Sequence, residues 1–284
     1  MRGEKGDANV ATVKFVENYR KLCNSGRRET RRLNRARLID KNDNGYVDLL
    51  TFGDLHLGHP GCDFKFAEEL LAKAYDDGSY LLSMGDLGEF STRTSPGGSL
   101  FSQLSPEKQI DEICGLLTPF VNDGRLIGGH DGNHENRTFK AAGIRVAKII
   151  CDKLGIPYLG AGGHHLIYAG GQSYSVYALH GSSGANKRED KVKRAKAALS
   201  KFKCELGLHA HVHDIADGFD IYEEVNKTKK TVEIKKKLIL VTGHYLKWHG
   251  TYAQEKNYDF VPYGSPKARF YTDTHKIKLL KEWW

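Results

Sequence analysis

Short apolar runs that end in a glycine and then an aspartate, histidine or asparagine recur along this chain, and no other feature restricts its fold as strongly. Tyr46–Phe52 leads into Gly53-Asp54, residues 80–84 into Gly85-Asp86, and residues 125–127 into Gly128-Gly129. Between these runs lie helical patterns at 64–75, 106–120 and 139–154. Strands alternating with helices predict an α/β layered domain. Further on, 166–169 and 174–179 read as two strands joined by Gly170-Gly171, 187–202 as a basic helix and 205–209 as a strand. Residues 219–225 and 231–241 read as a long hairpin around 226–230. Residues 1–45 have a different texture, with six arginines between Gly26 and Arg37. They are assigned to a basic N-terminal extension, and 46–284 to one catalytic domain.

The polar residues at the ends of these runs form an ordered series. They are Asp54 and His56 in GDLHLGH, Asp86 in GDLGEF, Asn133-His134 in GNHE, His180 in LHG, and His211-Val212-His213. Strand carboxyl ends share one edge of an α/β sheet, where their loops converge. Two carboxylates, four imidazoles and an amide oxygen gathered there make an oxygen–nitrogen donor set suited to Mn, Fe or Zn. Seven donors exceed the needs of one tetrahedral ion, so two divalent transition-metal ions are expected, manganese first. Such a pair would activate a bridging water and clamp both oxygens of an in-line phosphoryl displacement. A single D-x-H carries little weight. Five motifs at intervals of 32, 47, 47 and 31 residues, each after an apolar run, carry a great deal.

These motifs, over about residues 46–250, resemble the calcineurin-like metallophosphoesterases. The resemblance implies a four-layer α/β sandwich, two mixed β-sheets flanked by helices, with a dinuclear centre. Carried over, Asp54, His56, Asp86 and His213 would hold one ion. Asp86 as a bridge, Asn133, His180 and His211 would hold the other. His134 would contact the phosphate and protonate the leaving oxygen, with Glu89 orienting it. The family's usual last motif is G-H-x-H, whereas this chain has His209-Ala210-His211-Val212-His213, so either His209/His211 or His211/His213 is the ligand pair. Arg137 and His59 are candidate substrate contacts, and structural roles remain open for both.

The segment Gly85-Asp86-Leu87-Gly88-Glu89-Phe90 lacks the arginine that serine/threonine phosphatases carry there. In this respect, and in D-x-H-L-G, the chain is distantly similar to SbcD-type repair nucleases and to phage and bacterial phosphoesterases. A net charge of +8 and two basic segments favour a polyanionic substrate: 187–203 has eight Lys/Arg against two acids, and 227–237 has six Lys against one Glu. The expected function is a phosphodiesterase or nuclease acting on nucleic acid. A phosphomonoesterase for proteins or small nucleotides, and a non-catalytic scaffold, are the alternatives.

Several classes fall away. Residues 40–51 mimic an EF-hand loop, but position 12 is Thr51 where a bidentate glutamate belongs, and a strand pattern follows. Five scattered cysteines without a C-x-x-C pair predict reduced thiols. No apolar run is long enough for a membrane span, and the first residues lack a secretory signal pattern. A cytoplasmic protein of a bacterium or a phage-infected host is expected.

Overall fold

The computed structural model describes residues 33–93, 95, 104–182, 187–249, 254, 257 and 259–281. The chain divides into two units, Met1–Arg32 and Leu33–Trp284, and the description concerns the second. Most of the arginine-rich stretch, the helical pattern near Val13, Cys23 and the Trp283-Trp284 end lie outside the described residues.

Eleven strands and five helices are found among the described residues. A five-stranded sheet contains β2 (Tyr46–Phe52), β3 (Tyr80–Ser83), β4 (Leu126–Gly129), β10 (Lys267–Tyr271) and β11 (Ile277–Leu280), in the order β11-β10-β2-β3-β4. A six-stranded sheet contains β1 (Leu33–Leu38), β5 (Gly162–Ala169), β6 (Gln172–Leu179), β7 (Leu206–His209), β8 (Ile215–Asn226) and β9 (Thr231–Thr242), in the order β1-β5-β6-β7-β9-β8. Both sheets are mixed. In the first, β2, β3 and β4 are parallel while β10 and β11 run antiparallel to their neighbours. In the second, β6, β7 and β9 are parallel and β8 is antiparallel to β9.

Alternation along the strands explains the packing. In β2, Val47 and Leu49 share a core cluster with Leu206, Leu208 and Leu240 of the other sheet, so the sheets face each other. Leu50 and Phe52 point the other way, into a cluster with helices α1 (Phe64–Asp76), α2 (Pro106–Asn122) and α4 (Val146–Leu154). Helix α5 (Arg188–Leu199) covers the outer face of the six-stranded sheet, Ala195 and Leu199 packing with Tyr177, Ile239 and Val241. Helix α1 starts where the Asp63 side chain accepts the Phe66 N–H at 3.4 Å, and buries Ala67, Leu70, Leu71 and Ala74 at helical spacing. Each such buried leucine contributes about 1.5–3 kcal/mol.

Two expectations need correction. Leu33–Leu38 falls inside the stretch assigned to the extension, yet it is strand β1 and pairs in parallel with β5. Its Arg35 and Arg37 face solvent while Asn34, Ala36 and Leu38 are buried. The single helix predicted over 139–154 is two: α3 (Asn133–Ala142) ends at Gly143, whose φ of 73° no ordinary helical residue adopts, and α4 follows. Residues 40–45 form a turn closed by the Asp40 Oδ2 bond from the Gly45 N–H at 2.8 Å, and Thr51 lies in β2, so no EF-hand exiting helix exists there. No helix among the described residues is long and apolar enough to cross a membrane. The four described cysteines are unpaired, and burial pushes the Cys62 and Cys151 thiols up to about 12.

Candidate metal centre

Strand register brings the polar residues together. Phe52 pairs with Ser83, Ser83 with Gly129, and in the other sheet Leu179 with His209, so β2, β3 and β4 end level in one sheet and β6 and β7 in the other. Asp54, Asp86 and Asn133 leave the ends of β2, β3 and β4; His180 leaves β6, and His211 and His213 leave β7. The backbone there is unusual. Asp54 (φ 50°), His56 (53°), Asp86 (52°), His211 (73°) and His213 (49°) all occupy the left-handed region. Such conformations cost of order 1–3 kcal/mol each and cluster at functional sites. Close approach adds a further demand: a Cβ on Gly132 would sit 2.0 Å from Asp86 Oδ1.

Two donor clusters contain the predicted ligands: Asp54, His56 and His213 form the first, and Asp86, His180 and His211 the second; His56, Glu89 and His134 make a further group. Of the six predicted ligands in these two clusters, all but His211 and His213 are buried. In the second cluster His180 Nε2 lies 3.1 Å from Asp86 Oδ2 and 3.1 Å from Asn133 Oδ1. Its Nδ1 is 2.8 Å from the Met84 carbonyl, which only accepts, so Nδ1 carries the proton. A neutral His180 would therefore aim a lone pair at two oxygens, an arrangement that needs a proton or a cation at its centre. Burial opposes a charge on His180, but the Asp86 carboxylate outweighs it and pushes the ring up to about 10. Asp86 is correspondingly held well below the ordinary carboxylate range, its burial outweighed by His180 and His134.

The first cluster has the same logic. His56 Nδ1 faces Glu89 Oε2 at 3.3 Å, leaving Nε2 as the lone pair, which faces His213 Nε2 at 3.2 Å. His213 Nε2 is also 3.3 Å from Asp54 Oδ1, an oxygen that accepts no well-formed hydrogen bond; Asp86 Oδ2 is orphaned likewise. Burial lowers His56 to about 4. Burial also lowers His211 to about 4. Imidazoles that donate one nitrogen to a carboxylate or carbonyl and turn the other inward have the arrangement metal ligands require. Orphaned buried carboxylate oxygens and converging lone pairs fit two cations.

His134, on α3, lies beside both clusters. Its backbone N–H donates to Asp86 Oδ1 at 2.8 Å, and its ring packs edge-on against His56 with centroids 4.3 Å apart. Nδ1 sits 3.1 Å from the Glu89 carbonyl and 3.2 Å from Glu89 Oε2. Burial disfavours the imidazolium, while Asp86 and Glu89 raise its pKa. Arg137 Nη2, however, lies 2.9 Å from Nε2, and a guanidinium can only donate. The resting ring is therefore the neutral Nδ1–H tautomer, capped by Arg137. Arg137 also pairs through Nη1 with Glu89 Oε1 at 3.0 Å, so it is not a free helix-surface arginine. His59 is half-buried, its Nδ1 accepting from the Gly61 N–H at 2.9 Å.

The ambiguous histidine run is placed by geometry. His213 stands with Asp54 and His56, and His211 with Asp86 and His180. His209 is the last residue of β7, buried, with its ring against Gly181, where an added Cβ would lie 2.7 Å from it.

Other contributors lie outside the predicted site residues. Glu135, 2% exposed, accepts the backbone N–H groups of Asp86 (2.9 Å), Leu87 (2.8 Å) and Gly132 (3.0 Å), tying the second and third motif loops together. Burial and the Asp86 charge push its carboxyl up to about 7 against those three donors. A second tie runs through His130 and His165, both buried. His130 Nδ1 donates to the Gly160 carbonyl, so its Nε2 accepts from His165 Nε2 at 3.0 Å, and His165 Nδ1 accepts from Asn34 Nδ2 at 3.1 Å. Asn34 spends its second N–H on the Ile127 carbonyl, so every nitrogen of this relay is paired. His244 stacks on His213 with centroids 5.1 Å apart, and Lys191 donates to the His213 carbonyl at 3.0 Å. A rule for such residues exists only for Glu135, as the neighbour of His134 in GNHE.

Compared with known proteins, the chain matches no family model and no curated protein.

Proposed function

We propose that this protein is a dinuclear-metal-dependent phosphoesterase, and specifically a phosphodiesterase that acts on nucleic acid. The observation that carries the reading is the convergence of His180 Nε2, Asp86 Oδ2 and Asn133 Oδ1 within 3.1 Å beside a second group made by Asp54, His56 and His213. The resemblance to calcineurin-like metallophosphoesterases uses the same seven residues, and the two facing sheets with helices outside them suit its four-layer sandwich. Asp54, His56, Asp86 and His213 would hold one ion, and Asp86, Asn133, His180 and His211 the other. Oxygen and imidazole donors favour manganese, with iron or zinc as substitutes. When bound, such a pair supplies Lewis-acid polarisation of a phosphoryl oxygen and a water acidic enough to attack.

The chain's own groups do the rest. Glu89 fixes the His134 ring through Nδ1, so Nε2 faces the leaving oxygen; once uncapped it takes up a proton from water, an uptake that Asp86 and Glu89 favour, and passes that proton to the leaving oxygen. Arg137 caps Nε2 in the resting state; a substrate phosphate, offering two acceptor oxygens, draws the guanidinium to itself and frees that nitrogen. The basic segments 187–203 and 227–237 favour a polyanionic substrate over a compact monoester.

The test is a parallel assay with Mn²⁺ of bis-p-nitrophenyl phosphate, p-nitrophenyl phosphate, and labelled single- and double-stranded DNA. Hydrolysis of the diester and of DNA is expected. Turnover of the monoester alone sinks the nuclease reading, and no turnover at all with metal bound leaves a scaffold.

A further inference from the structure

An aromatic cluster outside the metal centre has no role in the chemistry described above. Trp248, His249 and Phe260 form it, with ring centroids 5.1, 6.0 and 6.3 Å apart. Phe260 is 71% exposed and His249 is also exposed. The three interplanar angles are 85°, 66° and 48°, so none of the rings covers another face to face.

Backbone contacts tie this cluster to the centre. The Tyr245 N–H donates to the Asp54 carbonyl at 3.0 Å, and His244 stacks on His213. His244 also pairs with Gly264 in an isolated antiparallel bridge. From that bridge the stretches 244–249 and 259–264 lead outward together, and four residues along each they arrive at Trp248 and Phe260. Four extended residues span at most about 14 Å, so the trio lies within that distance of the His244–Gly264 bridge. On the opposite flank, the Lys247 N–H donates to the Gly61 carbonyl in the loop that carries His59.

Charge accompanies the rings. Asp259, next to Phe260, accepts the Arg188 backbone N–H at 3.0 Å and so joins the trio to the start of α5. The Arg188 side chain is 52% exposed and reaches toward Asp214, the residue after His213, with Nε 3.4 Å from Oδ2. Lys247, next to Trp248, is 55% exposed and pairs with Asp63 at 3.4 Å. Aromatic faces interleaved with cations beside a phosphoester centre have the chemistry of a stacking platform for unpaired bases, with the cations facing the intervening phosphates.

We infer that Trp248, His249 and Phe260, with Arg188, form a subsite for an unpaired nucleobase and its neighbouring phosphate. The substrate is thus single-stranded nucleic acid, or a strand end opened from a duplex. The inference rests on the phosphoesterase reading for its substrate, but its test uses no turnover.

Full-length protein carrying Trp283→Phe and Trp284→Phe retains Trp248 as its only tryptophan, since the chain has three. Its emission is titrated in EDTA with single-stranded oligothymidylate and with a duplex of equal length. The single strand is expected to quench saturably and the duplex far less. Phe260→Ala should weaken binding about tenfold, because base–aromatic stacking is worth about 1–3 kcal/mol and tenfold corresponds to about 1.4. Phe260→Tyr should restore it, and Ile234→Ala, an exposed apolar truncation on β9, should leave affinity unchanged. Absence of quenching, equal quenching by the duplex, or a Phe260→Ala affinity within twofold of the parent overturns the inference. Failure of the phosphoesterase reading shows separately, as absent bis-p-nitrophenyl phosphate hydrolysis with Mn²⁺, whatever the titration gives.

Discussion

Replacing Glu135 by glutamine changes one atom in the tie between the motif loops, and the structure sets the size of the effect. The carboxylate accepts three backbone N–H groups, with Oε2 serving Asp86 and Gly132 and Oε1 serving Leu87. A glutamine that keeps its carbonyl at the Oε2 position retains two of these bonds. Its amide then confronts the Leu87 N–H at 2.8 Å, donor against donor, in a place 2% exposed. The flipped amide loses two bonds and is worse. Each buried unsatisfied donor costs about 1–3 kcal/mol, and two are left, the Leu87 N–H and the amide N–H that faces it, so the better orientation costs about 2–6 kcal/mol. Urea unfolding of the metal-free protein measures this, read as a fall in midpoint at constant slope. Because Asp86 and Gly132 are held by the same carboxylate, metal affinity should fall with stability. A stability loss below about 0.5 kcal/mol would show that the three bonds do not organise the site.

The remaining predictions concern ligand identity, protons and charge. His213→Ala should lose metal from the Asp54–His56 cluster, whereas His209→Ala should keep both metals and lose stability through a buried cavity; equilibrium dialysis with Mn²⁺ separates the two, and the reverse result would restore the His209/His211 pairing. Metal binding at pH 8 should release about one proton per chain, because Asp86 holds the His180 proton up to about 10 and a ligand imidazole must give it up. The sign follows from that value: release is full below about 10 and vanishes as pH rises through it, as calorimetry in buffers of different ionisation enthalpy will show. Deleting residues 1–32, which carry nine Lys/Arg against four acids, should weaken nucleic-acid binding and flatten its salt dependence; an unchanged slope would make the arm irrelevant to binding.

Much of the site was legible because its constraint is local. An apolar run followed by glycine and aspartate marks a strand end and a left-handed turn at Asp54 and Asp86, and the apolar runs before Asn133 and His180 mark the strand ends that precede them, which is why the four could be placed in order. Features that depend on distant partners were less visible. Arg35 and Arg37 disguise β1 as a charged arm, although the alternation of Asn34, Ala36 and Leu38 was present. The break at Gly143 hides inside a helical pattern because a C-cap glycine and a tolerated helix glycine look alike in sequence. The Asn34–His165–His130 tie spans 131 residues and has no periodic signature. Trp248 and Phe260 meet only because the chain doubles back at the His244–Gly264 bridge.

The central claim is that Asp86 belongs to two ion sites and His134 to neither. It is tested most directly by metal content and bis-p-nitrophenyl phosphate turnover, measured together on wild type, Asp86→Ala and His134→Ala after manganese loading. Two ions per chain are expected in wild type. Asp86→Ala should lose metal and turnover together, and His134→Ala should keep both ions while turnover falls about 10²–10⁴-fold. Fewer than one ion per wild-type chain, or a His134→Ala protein stripped of metal, would contradict the account.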